Sequence, residues 1–143
     1  MQSNGNKETY IETIYRLEQE NSRLKHLAET DWLTGLYNRG AIERKVNEYL
    51  RNKQPAIMFV FDVDYFKQIN DRYGHIAGDC LLQRIGEILK KIYPRNSLIG
   101  RVGGDEFVIF LFGNFAEKTA ENVCIQLKER FKSVCLQIGR AHV

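Results

Sequence analysis

A chain of 143 residues with 43% hydrophobic content can bury one ordinary core, and two separate domains would be crowded into it. Its 21 lysines and arginines against 18 aspartates and glutamates leave a net charge of +3, far from the dense basic surface that duplex DNA or RNA binding needs, so no nucleic-acid partner is expected. A weak positive field helps recruit an anionic nucleotide, although an ordinary solvated surface carries the same charge. No run approaches a membrane span and residues 1–7 are polar where a secretion signal is apolar, so the expected location is cytoplasmic. Membrane attachment would come only through a missing upstream region. Cys80, Cys124 and Cys135 are odd in number and lack metal-type spacing, so they read as small apolar residues in a reducing compartment.

Between Thr9 and Thr30 there is neither Pro nor Gly, and Tyr10, Ile14, Leu17, Asn21, Leu24 and Ala28 recur at alternating steps of four and three. That is the spacing of a heptad seam. With Ile14 at an a position and Leu17 at d, Asn21 falls at a, where a lone buried amide favours a parallel two-stranded coil in one register. A single amphipathic helix packed on its own domain fits the same letters. Residues 1–30 are therefore set apart as a signalling or coiled-coil helix, and a globular domain begins at Asp31.

Residues 41–50 are helix-like, and the almost wholly apolar run 56–62 predicts a buried strand. A polar segment with a helix start near Phe66 follows. Cys80, Leu81, Leu82, Ile85, Ile88, Leu89 and Ile92 then supply the stripe of a helix over 77–92, ended by Pro94. Residues 97–102 and 107–112 are strand-like arms around Gly103-Gly104, a dipeptide suited to the positive φ angles of a tight hairpin. A last amphipathic helix is predicted over 116–131. The order implies an α/β sandwich, a mixed sheet flanked by helices.

Phe59-Val60-Phe61-Asp62-Val63-Asp64 runs a buried strand into two carboxylates. Alternation places Asp62 and Asp64 on one side, and carboxylate oxygens are the hard ligands that Mg²⁺ takes beside substrate phosphates. An isolated Asp-x-Asp is more simply a solvated strand end. A second acidic pair, Asp105 and Glu106, follows the Gly-Gly turn, and four carboxylates brought together repel unless a cation intervenes. Gly103 and Gly104 also let a bulky nucleotide approach the backbone, although an ordinary hairpin explains them equally well. Asn70 and Asp79 are candidate base readers: a carboxylate accepts from both guanine N1 and N2, and an amide both donates and accepts. Each also suits a plain helix-end role. Amides around Tyr65 and Phe66, at a helix start, can cradle phosphate, with Lys67 adding charge.

Over residues 31–131 the chain resembles the GGDEF family of diguanylate cyclases. The resemblance rests on Gly103-Gly104-Asp105-Glu106-Phe107 preceded by Arg101-Val102, on Asp31-Trp32-Leu33-Thr34-Gly35-Leu36-Tyr37-Asn38-Arg39, and on the segment from Asp62 to Asp79. It implies a palm-like nucleotidyl-cyclase fold and a dimeric enzyme that condenses two GTP into cyclic di-GMP and pyrophosphate. Asp62, the Val63 carbonyl and Asp105 would hold two Mg²⁺ or Mn²⁺ ions with Glu106 assisting. Asn70 and Asp79 would hold guanine, with His75 nearby. Asp105 or Glu106 would serve as the base, and the heptad helix would set how two domains face one another. The alternatives are a silent module that binds GTP or transmits dimerisation and, more distantly, a palm-type polymerase or other nucleotidyl cyclase.

Two departures carry expectations. Past the last helix the family continues into a strand and a closing helix, absent here; the globular domain is taken as residues 31–137 and incomplete. Residues 138–143 read either as a broken version of that strand or, with a better fit, as a non-native tail, because Ile-Gly-Arg-Ala-His-Val translates the sequencing-adapter stretch ATCGGAAGAGCACACGTC. Such a chain is expected to be weakly active or inactive. Where the family often carries an Arg-x-x-Asp product-inhibition motif, this sequence has Pro94-Arg95-Asn96-Ser97. Calorimetric titration with cyclic di-GMP should accordingly show no tight binding at that place; high-affinity binding abolished by Arg95→Ala would contradict it.

Overall fold

The computed structural model describes residues 3–93, 95–113 and 120–140. The chain divides into two compact units, Met1–Thr30 and Asp31–Val143. The first is one long helix, α1 (Ser3–Glu29). Its heptad residues Tyr10, Ile14, Leu17 and Leu24 are all more than half exposed. The i,i+3 pair of Glu20 and Arg23 at 2.7 Å is also solvent-exposed and adds little stability.

The second unit runs α2 (Arg39–Arg51), β1 (Ala56–Asp62), α3 (Phe66–Tyr73), α4 (His75–Ile92), β2 (Ser97–Arg101), β3 (Glu106–Phe112) and α5 (Ala120–Arg140). Asn38 caps α2 by accepting from the Ala41 amide at 2.9 Å. The sheet has the order β1-β3-β2 with both pairings antiparallel. Its parallel component among the described residues is a single bridge between Tyr37 and Gly100.

Register explains which side chains are buried. Phe59 stands opposite Ile109 and Phe61 opposite Phe107. These pairs face the core that α4 and α5 complete with Leu82, Ile85, Leu89 and Val123. On the other face Tyr49 of α2 lies against Phe110 and Phe112, with ring centroids 5.4 and 4.7 Å away, and Ile42 fills the space that a side chain at Gly100 would need.

Several expectations are corrected here. β1 has the predicted span but is not buried on both faces: Met58 and Val60 are 57% and 62% exposed, because β1 is an edge strand whose outward side chains no described element covers. Cys80 and Cys124 are exposed thiols rather than small core residues. The last helix starts at Ala120 and continues to Arg140, so Ile138 to Arg140 are helical and not a broken strand. Residues 116–119 of that predicted helix, Pro94, and residues 141–143 of the predicted tail lie outside the described residues.

The segment between Asp31 and Tyr37 is stitched to this frame. The Tyr37 amide donates to the Ile99 carbonyl at 3.0 Å, and the Arg101 amide donates to the Tyr37 carbonyl at 2.9 Å. Gly35 adopts φ 64°, a left-handed conformation that favours glycine, and Lys90 of α4 donates to the Thr34 carbonyl at 3.1 Å. Asp31 Oδ1 accepts from the Thr34 amide at 2.9 Å, the Thr34 hydroxyl at 2.7 Å and Arg101 Nη1 at 3.2 Å. Partial burial alone would raise the Asp31 pKa, but the Thr34 bonds and the Arg101 guanidinium outweigh it and hold the carboxyl below its usual range. A depressed folded-state pKa gives stability that is present above the unfolded value of about 3.9 and lost as pH falls through the folded value. Asp31→Asn should therefore cost about 1–3 kcal/mol at neutral pH and flatten the acid limb of stability below about pH 4, measured by urea unfolding across pH.

Candidate active site

Asp62, the last residue of β1, stands directly opposite Glu106, the first residue of β3. Facing residues of an antiparallel pair share one side of the sheet, so the two exposed carboxylates are cross-strand neighbours. The Val63 amide donates to the Asp105 carbonyl at 3.2 Å, which carries the pairing one step further and sets Asp105 beside Val63. Among the described residues no cation pairs with Asp62, Asp105 or Glu106. The structure thus brings three of the four predicted acids to one end of the β1–β3 pair.

Asp64 departs from the prediction. The strand stops at Asp62, and Tyr65 takes φ 58°, turning the chain into α3, so alternation no longer applies at Asp64. Among the described residues no three acidic, imidazole or thiol side chains already close around one point. The donor set nevertheless fits a hard divalent cation: carboxylates without a cation partner among the described residues face each other, and the Val63 carbonyl accepts from the Phe66 amide at 3.2 Å, keeping a second lone pair. That same bond means the Phe66 amide is engaged, a correction to its role in a phosphate cradle.

The turn between the arms is wider than a two-residue hairpin. The Val102 amide donates to the Glu106 carbonyl at 2.9 Å, and neither Gly103 nor Gly104 has a positive φ, contrary to expectation. Gly103 is there for space: a Cβ on it would collide with the Glu106 carboxylate, whereas a Cβ on Gly104 meets nothing within 4 Å. Arg101, to which sequence reasoning assigns no chemistry, reaches over the turn and donates to the Gly104 carbonyl from Nε at 3.1 Å and Nη2 at 2.7 Å. Its signal in the sequence is a guanidinium two residues before the Gly103-Gly104 pair.

The second cluster depends on Gly74. With φ 85° it ends α3, donating to the Asn70 carbonyl at 2.8 Å, and begins α4, accepting from the Ala77 and Gly78 amides at 3.1 and 3.3 Å. This reversal lays Asn70 over Gly78, where a Cβ would strike Asn70 Oδ1 and come within 3.2 Å of the Phe66 ring. Asn70 Oδ1 is buried with no hydrogen-bond partner among the described residues, a costly state unless a ligand donates to it. Asp79 follows Gly78 and is exposed in the first part of α4; His75 and Lys67 are exposed near the starts of α4 and α3.

Residues 28–140 match the family model described as diguanylate cyclase, GGDEF domain. Diguanylate cyclase TpbB of Pseudomonas aeruginosa is 38% identical over 122 residues, 79% of this chain and 28% of its own length. Diguanylate cyclase DgcP of Escherichia coli is 40% identical over 105 residues, 71% of this chain and 31% of its own. The chain thus spans less than a third of these relatives. The coiled coil and GGDEF domain of DgcB from Caulobacter crescentus, solved in complex with c-di-GMP, superposes with a TM-score of 0.71 at 24% identity, covering 87% of this chain and 65% of that one, a likeness of fold.

The glycine environments separate space from conformation. Gly78→Ala should destabilise the chain by about 1–3 kcal/mol through forced repacking of Asn70, whereas Gly104→Ala should change stability by under about 0.5 kcal/mol, both read by denaturant unfolding.

Proposed function

The chain belongs to the GGDEF diguanylate cyclase family, and from that premise we propose that it is a domain condensing two GTP molecules into cyclic di-GMP and pyrophosphate, working as a homodimer in the cytoplasm. The observation that carries this reading is the in-register apposition of Asp62 and Glu106 beside Asp105, with no counter-cation among the described residues. Asp62, the Val63 carbonyl and Asp105, assisted by Glu106, would hold two Mg²⁺ or Mn²⁺ ions. When bound, these ions neutralise triphosphate charge and polarise the α-phosphate.

The chain's own residues do the rest. Asn70 Oδ1, buried and without a partner among the described residues, accepts from a guanine N–H, and Asp79 takes the neighbouring donors. Adenine presents the wrong pattern at the same edge. Lys67, exposed near the start of α3, would add positive charge for the phosphates, with His75 nearby. Gly103 leaves room for the Glu106 carboxylate to fold over the turn. The 3′-hydroxyl of one GTP attacks the α-phosphate of the GTP held by the facing copy; Asp105 or Glu106 accepts the hydroxyl proton, and pyrophosphate leaves. One copy supplies half of such a site, and the exposed apolar stripe of α1 supports pairing of two copies. No described helix is long and apolar enough to cross a membrane. Retention of Asp62, Asp105 and Glu106 together favours this reading over a silent module.

The test is Mn²⁺-dependent GTP binding and turnover, with products separated by chromatography. Asp105→Ala and Glu106→Ala should each lower turnover by at least about 100-fold, and Asp62→Ala should abolish Mn²⁺-dependent binding. Unchanged binding in the Asp62 variant defeats the proposal, as does pyrophosphate release without a cyclic dinucleotide. The 143-residue chain itself is expected to be weak, since β1 leaves Met58 and Val60 bare and its outer edge unpaired among the described residues. Robust turnover by that chain would refute this last expectation alone.

A further inference from the structure

The pairing of β1 with β3 decides which backbone groups of β1 are left over. Antiparallel partners alternate between pairs that exchange backbone hydrogen bonds and pairs that do not. The Val63 amide donates to the Asp105 carbonyl at 3.2 Å, one step past the Asp62–Glu106 pair. The odd-numbered residues of β1 therefore bond to β3, and the even-numbered ones turn their N–H and C=O groups away from it. Ala56, Met58, Val60 and Asp62 carry this outer edge, which no described strand meets. Met58 and Val60 also bear the exposed apolar side chains of the open face. The register with β3 is unbroken from Ala56 to Asp62, and the strand holds neither lysine nor proline, two devices that keep a natural edge single.

The two ends of β1 differ in charge. Exposed Arg51 and Lys53 precede the strand, and exposed Asp62 and Asp64 close it. An antiparallel neighbour of the same sequence sets the basic end of one strand beside the acidic end of the other, whereas a parallel neighbour sets like charges together. We propose that the outer edge of β1 is a docking surface for a second copy of this chain, the two strands pairing antiparallel about a two-fold axis at Phe59. Phe59 is the midpoint of the strand, so this register overlaps its whole length. Met58 then stands opposite the partner's Val60, and Ala56 opposite the partner's Asp62. Those are the residues whose N–H and C=O groups point outward, so the edge is satisfied by main-chain bonds while Met58 and Val60 shield each other on the open face. The contact is self-complementary and joins two three-stranded sheets into one. It is separate from pairing through α1 and does not rest on the function proposed above.

The test follows the full chain by analytical ultracentrifugation over a range of concentrations, with Ile14→Glu/Leu17→Glu to remove pairing through α1. In that background an association step should persist, and Val60→Lys or Met58→Lys should weaken it at least about tenfold by charging the paired edge. Both positions are exposed, so the fold tolerates the change. Lys53→Glu, which removes the complementary charge, should weaken association about threefold. Register is read by cross-linking after Cys80, Cys124 and Cys135 are changed to serine. Met58→Cys chains mixed with Val60→Cys chains should form intermolecular disulfides about tenfold faster than either chain alone, because only the mixture places two thiols directly opposite. Association indifferent to both lysines overturns the proposal, since another surface then carries it. Equal cross-linking of mixed and single chains overturns the register. An α1 variant that stays monomeric throughout also overturns the proposal, and slow amide exchange at Met58 and Val60 in that monomer would mean that the chain's own residues cover the edge.

Discussion

The pairing register of β1 with β3 is the constraint on which the rest of the site depends. Like charges facing across two strands cost a few tenths to about 1 kcal/mol. Burying an aromatic or branched side chain contributes about 1.5–3 kcal/mol. Phe59 against Ile109 and Phe61 against Phe107 therefore set the register, and Asp62 and Glu106 are carried into apposition at its end. A slip of one residue would turn the phenylalanines out of the core, so the acids cannot relax apart by sliding. The repulsion is held in place by packing elsewhere, which is what a cation site needs.

The glycines serve different physical ends. Gly74 is required by conformation, because its positive φ reverses the chain between α3 and α4. Gly78 is required by space, because Asn70 occupies the volume where a side chain would be. Together they put a buried amide oxygen against the α4 start with no donor to it among the described residues. Gly103 also yields space, here to Glu106, while Gly104 leaves its peptide unrestrained except through Arg101. The turn is thus permissive in its backbone and directed by one guanidinium.

On the face of β1 away from α4, Met58 and Val60 are exposed, and among the described residues β1 has a strand partner on one side only. A mostly apolar edge without lysine or proline in the strand is a liability for solubility. Its chemistry makes the strand a poor solvent-facing element and a good interior one, as its almost continuous apolar run implies.

How much of this was legible depends on the range of the forces involved. Periodicity and apolar runs located α2, α4 and the three strands to within a few positions, while α1 starts six residues earlier and α5 runs nine residues further than the patterns implied; the motif around residues 101–107 pointed to the acids and to the family. These are local properties: side-chain spacing, β-branching and turn chemistry act over a handful of neighbours. What sequence could not give was contact across the chain. Asp64 looked equivalent to Asp62 until the chain turned at Tyr65. Gly103-Gly104 looked like a tight positive-φ turn until the loop proved wider, with one glycine there for the Glu106 carboxylate. Arg101 had no role until Asp31, 70 residues away, closed on it. The orphaned Asn70 oxygen, the exposed face of β1 and the facing of Asp62 with Glu106 are all products of register and packing, which arise only when distant segments compete for the same buried volume.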